Sequence, residues 1–192
     1  MSKYQGVPWA NASNLGSKGY RCGYCGINVA SSLGFVAADS IEGRYAEIRL
    51  CSHCAKPTFF HGQSRCPDVA PGNEVDHVPD GVYALYQEAR NAAAANAYTA
   101  SVLASRKLLM NIAVSQGAPE KLRFIEYVDF LADGGFIPPN GRGWVDHIRT
   151  KGNEATHEIV LMEREGAAEL ISFSEMLLKF IFEFPARVPI EQ

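Results

Sequence analysis

Two Cys-x-x-Cys pairs, Cys22-Gly23-Tyr24-Cys25 and Cys51-Ser52-His53-Cys54, are separated by 25 residues. No other feature restricts the fold around it as strongly. A tight turn within each pair lets its two sulfurs face one ion, and two pairs supply the four soft ligands of tetrahedral zinc. Two disulfides or a redox Cys-x-x-Cys are the alternatives. Between the pairs, Val29 to Ala38 and Arg44 to Leu50 read as short strands about the turn Asp39 to Gly43, the arrangement of a zinc ribbon. Four protein ligands leave no position for a substrate or an activated water, so the ion is expected to be structural, and its removal to unfold the segment. Cys66, His53 and His61 are spare potential ligands. Cys66, 12 residues past the second pair, reads as a free or packed thiol.

The 192 residues leave room for one ordinary domain beside this small module. Three prolines and no helical or alternating period mark residues 67–80 as a linker. The expected organisation is a zinc-ribbon module with an N-terminal extension over 1–66, the linker, and a helical bundle over 81–192. Residues 1–20, with Tyr4, Trp9 and the polar stretch Asn11 to Ser17, carry no assignable role. No apolar run approaches the roughly 18 residues needed to cross a bilayer, and Ser2, Lys3, Tyr4 and Gln5 do not open a secretory signal. A reducing cytoplasm is the expected location, and no membrane partner is expected. The net charge of -3 divides into +4 up to Cys66 and -7 beyond it. Four thiolates with one Zn²⁺ leave the module near +2, weakly basic, whereas the pI near 6.0 argues against a protein that coats nucleic acid electrostatically.

Beyond the linker, apolar residues recur at helical spacing. Helices are predicted from Asp80 to near Asn96, from Ala97 to Ser115, and from Glu120 to Ala132. Further ones are predicted from Gly143 to Lys151, from about Asn153, and from Ala167 to Phe184. Short connections make this an up-and-down bundle.

Within it, Asn153 and His157 are four residues apart and share a helix face, with Arg149 four further back and Gly152 available for a kink. Arginine can hold a phosphate by two bonds, and histidine exchanges protons near neutral pH. Such a group could cleave RNA without a metal, by letting a ribose 2'-hydroxyl attack the neighbouring phosphate. The plain alternative is structural. Asn153 then caps a helix, with Glu154 and Glu158 favouring its first turn, and Arg149 and His157 bond to nearby backbone or carboxylates.

The ribbon ending in Cys-Ser-His-Cys-Ala-Lys-Pro-Thr-Phe, the segment Arg106-Lys107-Leu108-Leu109, and Ile148-Arg149-x-x-Gly152-Asn153-x-x-x-His157 together resemble domain-of-unknown-function family 4145. The resemblance implies a mainly α fold, a HEPN-like up-and-down helical bundle preceded by a small β zinc ribbon. It also implies relatives among metal-independent ribonucleases of defence and toxin systems, which commonly act as homodimers, and others that are inactive scaffolds. It assigns Arg149 and His157 to the catalytic pair and Asn153 to the polar position between them. Arg106 then stands near the same surface or is a buried partner of Glu126 or Asp146.

Two functions are therefore expected to compete. One is an endoribonuclease of a bacterial or phage defence system using Arg149, Asn153 and His157. The other is a non-catalytic regulatory dimer whose zinc ribbon binds RNA, other nucleic acid or a protein.

Overall fold

The computed structural model describes residues 8–37, 46–137, 143–144 and 161–188. The chain divides into two units, Met1–Ala70 with Ala94–Asn96, and Pro71–Ala93 with Ala97–Gln192.

In the first unit five strands, β1 (Ser13–Arg21), β2 (Asn28–Val36), β3 (Ala46–Leu50), β4 (Pro57–His61) and β5 (Ser64–Cys66), form one antiparallel sheet in chain order. The register explains where the cysteines go. Tyr20 pairs with Val29, and Leu50 with Pro57, so residues 22–27 and 51–56 are the loops of two hairpins. Because β2 and β3 are themselves antiparallel, both loops fall at the same end of the sheet.

Side chains alternate in and out along these strands, as the two-residue period requires. In β2 the alternation slips at Ser32 and Leu33, both exposed, near the register shift between Asn14 and Lys18 of β1. The inner face is unusually polar. Glu47 is buried between the Lys18 ammonium at 2.5 Å and the Arg49 guanidinium at 2.6 Å. Arg49 also donates to the carbonyls of Gly16 (2.6 Å) and Ser31 (3.3 Å), so the buried charges satisfy one another and the curled β1 backbone.

The second unit is helical: α1 (Asp80–Ala94), α2 (Tyr98–Ser115), α3 (Phe124–Asp133) and α4 (Arg164–Leu178), with a π-helical turn over Lys179–Glu183 and a last turn, α5 (Phe184–Arg187). Its core is built from Tyr86, Leu109, Val128, Leu131, Ile171 and Phe173, all fully or almost fully buried. Helix α3 starts four residues later than the period suggests, because the Glu126 carboxylate accepts the Arg123 backbone N–H at 2.7 Å and closes a capping box there.

The chain leading into α1 is pinned to this unit. The Asn73 backbone and side-chain N–H groups donate to the two Glu175 oxygens at 2.9 and 3.0 Å. Tyr86 donates to the Asn73 carbonyl at 2.9 Å, and Arg90 to those of Pro71 and Gly72. Gly72 has a φ of 72°, and a Cβ on it would stand 2.7 Å from the Tyr86 hydroxyl, so only glycine fits.

The expectation of a mainly α, HEPN-like bundle is overturned by the five-stranded antiparallel sheet: with 45% helix against 20% strand, the protein mixes the two classes. The apolar alternation predicts two strands between the cysteine pairs, and the sheet has five. That alternation is hidden in β1 by its glycines and polar side chains, and β4 and β5 are only five and three residues long. Of the six predicted helices, those starting near Gly143 and Asn153 fall mostly or wholly outside the described residues.

Candidate metal centre

The two hairpin loops are built alike. In the first, the Cys22 N–H donates to the Ile27 carbonyl and the Gly26 N–H to the Cys22 carbonyl, both at 2.9 Å. In the second, the Cys51 N–H donates to Lys56 at 3.0 Å and the Ala55 N–H to Cys51 at 2.9 Å. Each loop must turn through the left-handed region just after its second cysteine. Gly26 does so at a φ of 69°, where glycine carries no penalty; Ala55 does so at 59°. Trp9 braces the second loop by donating its indole N–H to the Ala55 carbonyl at 2.8 Å.

This repetition brings the four predicted thiols together. The Sγ atoms of Cys22, Cys25, Cys51 and Cys54 all lie within 4.8 Å of one another, with Cys22 to Cys54 and Cys25 to Cys51 at 3.8 Å. A disulfide requires about 2.05 Å, so the alternative of two bridges is not what the geometry shows. A tetrahedral ion with metal–sulfur bonds of about 2.3 Å has sulfur–sulfur edges of about 3.8 Å, and the donor set fits it.

The electrostatics suit a bound cation. Burial pushes the Cys54 thiol up to about 12, with Cys51, Cys22 and Cys25 adding to the rise. Burial also raises Cys22. At Cys51 burial acts in the same direction, but the backbone N–H groups of Cys54 and His53, each 3.4 Å from its sulfur, outweigh it and bring the pKa down. An ion here would replace the protons of Cys22 and Cys54, the two thiols that burial otherwise keeps neutral.

The spare ligands stay out. His53, His61 and Cys66 are exposed, and none belongs to the sulfur cluster. Arg149, Asn153 and His157 lie outside the described residues, as do Tyr4 and Asp146. Arg106 is buried on α2 with its guanidinium 4.4 Å from the centre of the Phe124 ring. Glu126, one of its proposed partners, bonds to Arg123 at 3.0 Å.

Several exposed residues without a motif of their own gather about the loops. Tyr24 of the first loop is 46% exposed, and the Lys56 ammonium of the second stands 4.7 Å over its ring. Trp9 packs edge-on against Phe35 at 6.4 Å. Only the position of Tyr24 inside a knuckle and of Lys56 just after one could have signalled them.

The family model described as a domain of unknown function, DUF4145, matches residues 87–191, more than half of the chain. The chain belongs to the DUF4145 family. No curated protein and no solved structure matches it. The matched segment begins well after Cys54, so the DUF4145 homology covers most of the helical unit and leaves the four-cysteine centre outside it. Among the described residues no helix is long and apolar enough to cross a membrane.

Proposed function

We propose that this DUF4145 protein is a nucleic-acid-binding protein whose first unit is a zinc ribbon, the ion being structural and the loop surface beside it the place of contact. The closed set of four sulfurs carries the reading. Zinc favours four thiolates in tetrahedral array, and four protein ligands leave it no site for substrate. What remains for the module is recognition.

The chemistry beside the ion suits single-stranded nucleic acid. Trp9 and Tyr24 are exposed aromatic residues of the kind on which bases stack, and Lys56, whose ammonium stands over the Tyr24 ring at the end of the second loop, and Arg21 at the end of β1 place positive charge beside them. Fluorescence anisotropy with a labelled single-stranded oligonucleotide tests it. Tyr24→Ala should weaken binding about 5- to 150-fold, the worth of a stacked base, while zinc content stays at one ion per chain. Unchanged binding by Tyr24→Ala and Lys56→Glu alike, or binding of a protein partner only, would refute the nucleic-acid assignment.

The ribonuclease alternative rests on Arg149, Asn153 and His157. It is tested by incubating the zinc-loaded protein with RNA beside His157→Ala. Intact RNA in both is expected, and cleavage by the parent alone would overturn the non-catalytic reading.

A further inference from the structure

Two buried hydroxyls beside the sulfur cluster have no hydrogen-bond partner: the Tyr20 phenol and the Thr58 side chain. Tyr20 is 9% exposed and Thr58 fully buried. A buried hydroxyl left unpaired costs about 1 to 3 kcal/mol, so two in one small module call for an acceptor. Tyr20 packs in a single apolar cluster with Cys22, Cys51, Cys54 and Phe60, and its ring meets Phe60 edge-on at 5.1 Å. It lies two residues before Cys22, and Thr58 sits on β4, the strand that leaves the second loop.

We propose that Tyr20 is a positioning residue of the metal centre, its hydroxyl donating a hydrogen bond to the metal-bound thiolates of Cys22 and Cys51, with Thr58 donating to the phenol oxygen behind it. The inference rests on the zinc reading above and adds an outer layer to it. A neutral thiol is a poor acceptor, whereas a metal-bound thiolate is a good one, so the bond forms when the ion arrives. A phenol ordinarily keeps its proton up to a pH of about 10, so at neutral pH the hydroxyl is available as a donor. Ser31 holds its own place by donating to the Leu50 carbonyl at 2.5 Å and leaves the role to Tyr20. The bond draws electron density from the sulfurs, which makes them weaker nucleophiles, and it favours thiolate over thiol, which holds the ion against competing protons.

The test uses the full chain, loaded with Zn²⁺ or Co²⁺, as parent, Tyr20→Phe and Thr58→Val. Tyr20→Phe keeps the ring against Phe60 and removes only the hydroxyl. One metal per chain is expected in all three. Tyr20→Phe should bind zinc about tenfold more weakly in competition with a chelator. It should also release zinc faster on treatment with methyl methanethiosulfonate, and its cobalt–thiolate charge-transfer band should move to longer wavelength. Thr58→Val should show the same changes to a lesser degree. A purely structural role would leave the cobalt band where it is. Identical bands and release rates in parent and Tyr20→Phe would overturn the inference while leaving the zinc reading intact, whereas a parent that binds no metal would remove that reading itself.

Discussion

Ala55 and Gly26 occupy equivalent corners of the two loops, and only one of them is the residue the backbone prefers. An alanine in the left-handed region costs about 1 to 2 kcal/mol, and glycine gives back about 0.5 to 1 through the unfolded chain. Ala55→Gly is therefore expected to stabilise the first unit by about 0.5 to 1 kcal/mol, and Gly26→Ala to destabilise it by a similar amount, in urea titrations of the metal-loaded protein. Destabilisation by Ala55→Gly, or no cost from Gly26→Ala, would mean the two loops are not equivalent. The cysteines themselves set a sharper contrast: Cys51→Ser should lose the metal, whereas Cys66→Ser, at an exposed position outside the cluster, should keep it, as metal analysis of the purified proteins would show.

At the scale of elements, Glu175 on α4 ties the segment before α1 to the helical unit. Burial raises its carboxyl, but Lys179 and the Asn73 donors outweigh this and hold it below the ordinary glutamate range. Because the folded-state value is depressed, the stabilisation is complete above the unfolded value and is lost as the pH falls through the folded one. Glu175→Gln should cost about 1 to 2 kcal/mol at neutral pH and flatten the acid limb of the stability profile. A parent-like acid limb in the variant would contradict this.

Most of the elements were readable in the residues, but unevenly. Asp80 opens α1 and Ser115 closes α2 as the apolar period and the Gly117-Ala118-Pro119 stop require. The start of α3 was missed because its cap is made by Arg123 and Glu126, neither of which is an N-cap type by itself. The break of the last helix into a π-helical turn at Lys179 leaves no mark in the apolar pattern, since Leu177, Phe180, Ile181 and Phe184 continue it. The four sulfurs were legible because spacing alone defines them. Tyr20 and Thr58 were not, since their place beside the sulfurs depends on strand register, which a sequence without its pairing does not disclose.

For the whole molecule, the two units differ in what holds them. The helical unit has an apolar core running from Val75 to Leu178, while among the described residues the sheet and its loops bury little apolar surface besides Tyr20, Val29, Leu50, Phe60 and the cysteines. Where a small module of that kind binds an ion at such a site, much of its folding free energy comes from the ion. Chelation should therefore abolish amide-exchange protection in residues 13–66 while α1 to α4 keep theirs. Loss of protection in both units together would show that they fold as one.

X-ray absorption at the zinc edge of the protein as purified addresses the central claim most directly. One zinc per chain surrounded by four sulfurs at about 2.3 Å, with no nitrogen or oxygen in the shell, is expected. A protein that carries no metal when expressed with zinc, or one whose ion is bound by histidine nitrogen or by water, would contradict it.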